Sequence, residues 1–417
     1  MTSNWDAVVI GGGAGGFMSA LSAKVNQPNL RILILEGSPR VLAKVQISGG
    51  GRCNVTHDCN DPSHLLAHYP RGHKSLLQNF RQFGPLQTRH WFESRGVPLK
   101  TEADGRIFPQ SDTSQSIIDC LLNEAKRLGV KIQTGQSVRG LNHMNSGGGF
   151  EIQTDSENIH AQKIVLATGS APSGVKLAAA MGHRMIAGVP SLFTFCIDDA
   201  ALTSLAGVSV NPVRGHLKIS GHDPCLQQGA LLITHWGVSG PCILKLSAWG
   251  ARALAAVGYQ APLIIDWLPN VSSEALRGAF NLAKQHQPQK QLKNLHCELL
   301  SPLPQRFWEY LLCKLDVPCD RIISEVKDKT LNRLAESLKH WPLTITGKGV
   351  FKEEFVTAGG VALSDIHLPT YESLICPGLY VVGELLNIDG VTGGFNFQNA
   401  WTSGYLAGRA IAQKAQQ

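Results

Sequence analysis

Apolar residues fall in short unbroken runs near both ends of the chain and in helical or alternating spacing between them. Val8-Val9-Ile10 and Arg31-Ile32-Leu33-Ile34-Leu35 read as strands of a parallel sheet, because unbroken apolar runs suit strands covered on both faces. Ile117, Ile118, Leu121, Leu122, Ala125 and Leu128 predict a helix over 114–128, stopped by Gly129. Strands are expected over 130–133, 138–141 and 150–154, the last two joined by a Gly147-Gly148-Gly149 hairpin turn. Lys163-Ile164-Val165-Leu166 is a further buried strand; its small-residue ending, Ala167-Thr168-Gly169, lets backbone approach a ligand. From about Val189 to Asp266 the pattern shifts to short β-rich pieces, an inserted barrel or sandwich with one helix near 242–256. Residues 272–340 are helical in pattern, β-spacing returns after Lys348, and Gly378 to Val382 is a buried strand ending at Gly383-Glu384. A last helix is expected over about 398–415, after the loop Asp389 to Asn396.

The fold class is therefore α/β. The 417 residues exceed the roughly 250–300 at which single cores stop growing. The composition shifts divide them into 1–188 with 350–417, a β-rich insert of 189–270 with 341–349, and a helical subdomain of 271–340.

Gly11-Gly12-Gly13-Ala14-Gly15-Gly16 follows the first strand and opens a helix near Ala14, which is the G-x-G-x-x-G arrangement of a dinucleotide site. Gly11 permits the tight turn, Gly13 lets backbone reach phosphate oxygens, and Gly16 allows close packing of helix on strand. The N–H groups around Ala14 and Gly15, at the positive end of the helix dipole, then point at the phosphates. Glu36, about 20 residues beyond Gly16 at the end of the second strand, is placed to accept hydrogen bonds from a ribose diol. A second glycine-rich loop spans Ile47 to Thr56 and a third spans Asp389 to Asn396. Glycine turns in both the first and last segments suit FAD better than NAD, because a flavin needs a second contact at Gly383-Glu384 and the helix start beyond Gly393, Gly394 and Phe395. No second G-x-G-x-x-G appears, so a reduced nicotinamide, NADPH or NADH, is expected only as a transient electron donor.

Composition narrows the setting. No apolar run approaches the ~18 residues that cross a bilayer, and the first strand lies too near Met1 for a signal peptide, so a cytoplasmic protein without a membrane partner is expected. Ten cysteines form no CxxC pair and no zinc-spaced Cys/His cluster, so no metal is expected. The net charge of +7 is mild, but between His64 and Arg106 seven Lys/Arg face three acidic residues. Tyr69, Phe80, Phe83, Trp91 and Phe92 are interleaved there, the composition either of an RNA-facing surface or of helices with a basic solvated face and a buried aromatic one.

Four stretches, ISGGGRCNVT at Ile47 to Thr56, LITHWGVSGP at Leu232 to Pro241, VTAGGV at Val356 to Val361, and Gly378 to Gly408, together resemble the YhiN/BaiN/RdsA family of FAD-dependent oxidoreductases. The resemblance implies a glutathione-reductase-type FAD-binding Rossmann-like domain interrupted by a β-barrel domain and a helical subdomain. It also implies that Ser48, Gly49, Gly50 and Gly51 offer backbone hydrogen bonds to phosphate or flavin, with Lys44 as a charge partner. Where many members continue the Ala-Thr-Gly turn with a longer stretch, this chain has Thr168-Gly169-Ser170-Ala171-Pro172-Ser173-Gly174 and then a helix, a departure from the family pattern.

Beside a flavin, Cys53 is the first candidate acid, since a loop thiol near N5 can protonate one carbon while hydride reaches its neighbour. The alternative is a small buried residue filling space. Arg52 is a candidate for an anionic substrate or for a structural ion pair, and His235, in the Thr-His-Trp-Gly turn, for acid or orienting group. Asn54 and Asn396 are candidate hydrogen-bonding residues of the flavin pocket, and Asp389 a candidate for positioning loop or flavin. Members of the family are linked to dihydrouridine formation in large-subunit ribosomal RNA, to reduction of unsaturated bile-acid intermediates and to aminoacetone oxidation. Reduction of uracil in 23S ribosomal RNA, reached through the 64–106 segment, ranks first; a small-molecule flavoenzyme and a non-catalytic FAD-containing RNA-binding protein are the alternatives.

Overall fold

A computed structural model describes residues 4–144, 148–295, 298–349 and 356–415. Gly147 of the expected hairpin turn and residues 350–355 of the C-terminal return lie outside the described residues. The chain forms two compact units, Met1–Gly188 with Val356–Gln417, and Val189–Phe355.

In the first unit the N-terminal strand Asn4–Ile10 lies between two parallel neighbours, Ile32–Glu36 and Asn158–Leu166. Lys131–Thr134 extends the sheet beyond Ile32–Glu36, and Leu379–Val381 extends it beyond Asn158–Leu166, again in parallel. Val8, Val9, Ile34, Ile164 and Val165 are buried, as their unbroken apolar runs require of strands covered on both faces. The early part of Asn158–Leu166 pairs antiparallel with Phe150–Thr154, which pairs in turn with Val138–His143. The helix Gln115–Arg127 ends before Gly129, whose φ of +71° gives the left-handed turn that glycine adopts without strain.

The first helix, Ala14–Asn26, packs along the C-terminal helix, Phe395–Lys414. Small residues make the approach close: a Cβ on Gly404 would meet the carbonyl of Gly15 and lie 3.0 Å from Met18 Cβ, and one on Gly408 would meet the carbonyl of Ser19. Because the contacts advance in the same order along both helices, the two run parallel. The C-terminal helix starts three residues earlier than its apolar spacing suggests. Gly394, at φ +91°, turns the loop in the left-handed region and Phe395 is already helical.

In the second unit six antiparallel strands close a barrel, in the order Phe195–Ile197, Gly237–Ser239, Cys225–Thr234, Ser209–Leu217, Ala261–Asp266 and Trp341–Lys348. The last strand pairs with the first. Closure leaves no unpaired edge, which decides between the barrel and the sandwich that the sequence left open. Helices Ser273–His286, Gln305–Lys314 and Asp328–Lys339 share one apolar core with the barrel. Trp267, just past a barrel strand, meets Phe307 edge to face at 4.4 Å and donates its backbone N–H to Leu338 O at 2.9 Å. Among the described residues no helix is long and apolar enough to cross a membrane.

Candidate functional site

Gly11 and Gly16 are required by the protein itself. Gly11 sits at φ +111°, and a Cβ there would lie 2.7 Å from the carbonyl carbon of Ala167; a Cβ on Gly16 would collide with Gly11 O. Gly13 differs, with ordinary extended backbone (φ −92°, ψ −172°) and nothing within 4 Å of where a Cβ would stand. This open glycine is the N-cap of the first helix, which carries neither a side-chain cap nor an acidic residue in its first turn. The first turn therefore presents backbone donors toward open space, the arrangement that binds a phosphate. Glu36 is held beside the turn, its Oε2 accepting from Gly12 N and its Oε1 from Ser38 N, both at 2.8 Å. A carboxylate has further lone pairs, so both oxygens can still accept from a ribose diol.

The second glycine loop closes the short helix Ala43–Gly51, with Ser48 at ψ 150° and Gly49 and Gly50 at φ +57° and +69° breaking the helical path. That helix is fixed to the first glycine turn, because Leu42 N donates to Gly12 O at 2.8 Å. From its first turn Lys44 reaches Glu384 Oε2 at 2.6 Å and Ser170 Oγ at 3.1 Å, while Glu384 Oε1 accepts from Thr357 N at 3.2 Å. A Cβ on Gly169 would lie 3.6 Å from Glu384 Oε2, and the buried Thr168 Oγ1 has no hydrogen-bond partner. Gly383 donates its N–H to Ser403 Oγ at 2.9 Å, which ties the Gly383-Glu384 turn to the C-terminal helix.

The third loop is braced by its own polar residues. Asn396 closes it in both directions, accepting from Gly390 N and donating to Gly390 O at 2.8 Å. Asp389 is fully buried and ion-paired with Arg71. Gly393 and Gly394 both have positive φ, and a Cβ on Gly394 would lie 2.7 Å from the Thr56 carbonyl. Asn54, its amide oriented to satisfy both ends, accepts from Gly394 N at 3.0 Å and donates to Thr56 O at 2.9 Å. Phe395 lies parallel to His68, ring centres 4.2 Å apart, and stacks on His57 at 4.9 Å. Neither histidine nor the Arg71 partner of Asp389 is marked by a local motif; Arg71 and Asp389 are 318 positions apart.

Three expectations change. Cys53 has no exposed surface, and burial pushes its thiol up to about 12, partly offset by Ser48. An acid must be reachable by the molecule it protonates, and this enclosure is that of a packing residue. Arg52 donates to Glu102 at 2.6 Å, contacts Asp112 at 3.4 Å and stacks 4.0 Å from the centre of the Phe108 ring, an ion-paired structural setting. The RNA-facing surface loses its stacking groups: Tyr69, Phe80, Phe83, Trp91 and Phe92 are all buried. Phe83 stacks on Tyr405 and Phe92 meets Trp401, so the C-terminal helix covers the aromatic face. Five of the seven basic residues, Arg71, Arg89, Arg95, Lys100 and Arg106, are ion-paired with Asp389, Glu93, Glu124, Asp112 and Asp104. His235 stands exposed with Trp236 at the tip of the turn between Cys225–Thr234 and Gly237–Ser239.

The donor set fits FAD. Gly15 lies one residue into the first helix and Gly404 nine residues into its parallel partner, so the C-terminal helix begins about 12 Å before the first helix does along their shared direction. It too lacks a side-chain cap and an acidic first turn. A diphosphate at the first N-terminus, ribityl hydroxyls near Glu384 and a flavin ring at the second N-terminus match this spacing of donors.

A Rossmann-type FAD-binding fold with this site defines the class: an FAD-dependent oxidoreductase. Residues 5–410 match the HI0933-like protein Rossmann domain. The chain belongs to that family. It is 32% identical to the 3-dehydro-bile acid delta(4,6)-reductase of Clostridium scindens, over 97% of this chain and 98% of the relative. It is 29% identical to the ribosomal RNA dihydrouridine synthase of Escherichia coli, over 98% of each. Among solved structures, 3-ketosteroid delta1-dehydrogenase from Sterolibacterium denitrificans shares the fold with a TM-score of 0.52 and 13% identity, covering 99% of this chain and 100% of that one.

Proposed function

We propose that this protein is an FAD-dependent reductase that adds hydrogen across a ring carbon–carbon double bond conjugated to a carbonyl, with the C5–C6 bond of uracil in 23S ribosomal RNA as leading substrate. The observation that carries the reading is the pair of parallel, uncapped helix N-termini at Gly13 and Gly394, stepped to suit one long dinucleotide. The names of the two relatives, which act on such different molecules, share reduction of a double bond of this type.

When bound, the flavin supplies hydride from N5 to one carbon of the bond, and its neighbour needs a proton. The chain's own residues would hold the cofactor: Gly13, Ala14, Gly15 and Gly16 at the diphosphate, Glu36 at the ribose, Glu384 at the ribityl chain, and Phe395 and Asn396 backbone at the ring. Ser48 to Gly51, Asn54, Asp389, Gly393 and Gly394 shape the loops around it. NADPH or NADH supplies the electrons transiently.

An unsaturated steroid-like ketone is the second reading, favoured by the burial of the 64–106 aromatics, which removes a base-stacking surface. Nucleoside mass spectrometry of 23S ribosomal RNA from cells with and without the gene tests the substrate. Loss of a dihydrouridine on deletion is expected. Unchanged dihydrouridine, together with reoxidation of the reduced protein by a conjugated steroid ketone under anaerobic conditions, would move the assignment to the second reading.

A further inference from the structure

Lys44 stands where two parts of a cofactor site meet. Its backbone is fixed beside the first glycine turn through Leu42 N to Gly12 O, two residues away. Its ammonium lies on the other side, on Glu384 Oε2 at 2.6 Å and Ser170 Oγ at 3.1 Å. Ser170 follows the Ala167 turn, whose carbonyl is packed against Gly11. The Lys44 side chain is 59% exposed and Glu384 only 19%. The lysine is thus the movable partner, on a flexible four-carbon stem, and the carboxylate the fixed one, also tied to Thr357 N.

A diphosphate bound at Gly13 brings two negative charges to the edge where Lys44 is rooted. There it competes with a single carboxylate for one ammonium. Ribityl hydroxyls, for their part, need free carboxylate lone pairs on Glu384. We propose that Lys44 exchanges partners: it holds Glu384 in place before FAD enters, then moves to the diphosphate and releases Glu384 Oε2 to the ribityl hydroxyls. The inference rests on the FAD site and not on the choice of substrate. A lysine that instead stays on Glu384 would support the ribityl end and contribute nothing at the phosphates.

The two arrangements separate when the cofactor is divided into its halves. Titration calorimetry on the flavin-free full-length chain with ADP, riboflavin and FAD reads both. Lys44→Met is expected to weaken ADP and FAD by about 10- to 100-fold, the scale of one charge-assisted contact, and to leave riboflavin within about twofold. Lys44→Arg, which keeps the charge, is expected to restore most of the ADP affinity. Glu384→Gln is expected to weaken riboflavin yet tighten ADP, because it frees Lys44 from its competing partner. Unchanged ADP affinity in Lys44→Met, an equal loss of riboflavin, or ADP binding that Glu384→Gln fails to tighten overturns the exchange while wild-type FAD binding stands. A wild-type chain that binds none of the three removes the FAD site itself, and the proposal with it.

Discussion

At Gly13 an added methyl group would meet no protein atom, whereas at Gly16 it would strike the carbonyl of Gly11. The two glycines of one motif therefore answer to different demands, one from the ligand and one from the fold. Gly13→Ala is expected to leave the flavin-free protein's melting temperature nearly unchanged, apart from the modest loss of a good N-cap residue, and to weaken FAD binding sharply. Gly16→Ala is expected to lower that melting temperature markedly, since backbone must move to admit the methyl. Equal thermal shifts in the two variants would contradict the division. Cys53 invites a similar separation. With its side chain enclosed and its thiol raised to about 12, Cys53→Ala should keep the bound flavin and most of the turnover, and register instead as a stability loss of about 1 kcal/mol. Retained flavin with abolished turnover would return the thiol to the chemistry.

The contact between the first and last helices sets the distance between the two uncapped N-termini. It depends on Gly404 and Gly408, where a side chain would meet the carbonyls of Gly15 and Ser19. Gly408→Val should force the helices apart, at about 1–3 kcal/mol, and weaken FAD more than it weakens ADP, because only FAD spans both N-termini. Equal effects on the two ligands would mean that this packing does not set the spacing. Periodicity and glycine spacing made these elements legible: the strands, the first helix and the glycine turns fall within a few residues of where the apolar runs put them. The start of the last helix was not, because Gly393-Gly394-Phe395 has the composition of a loop and only the positive φ of Gly394 shows that helix follows at once. The aromatic segment failed for a different reason. Its basic and aromatic positions are equally compatible with a bared and a covered face, and the cover, Trp401 and Tyr405, arrives some 300 residues later. The pairs Arg71 with Asp389 and Lys44 with Glu384 join distant parts of the chain and leave no local trace.

Over the whole molecule, buried thiols and paired carboxylates set opposite limits on stability. Burial raises Cys53 to about 12 and Cys120, Cys225 and Cys242 to about 11, two thiols in each compact unit. An unfolded thiol ionises near 8.5, so above that pH the unfolded chain sheds protons that the native chain keeps. Stability is then fully present below about pH 8.5 and falls as pH rises toward 11–12, by roughly 1.4 kcal/mol per pH unit for each thiol. On the acid side the Arg127 hydrogen bond, helped by Arg95, holds Glu124 below the usual glutamate range, and Lys100 does the same for Asp112. With folded values depressed, their contribution is present above about pH 4.3 and is lost as pH falls through the folded values. Thermal unfolding followed from pH 3 to 11 should therefore give a plateau between about pH 5 and 8.5 with a decline on each side. Cys53→Ala with Cys120→Ala should flatten the alkaline decline of the first unit while leaving the acid decline in place, and Glu124→Gln should do the reverse. An alkaline limb equally steep with and without the two thiols would place its origin in groups other than these thiols.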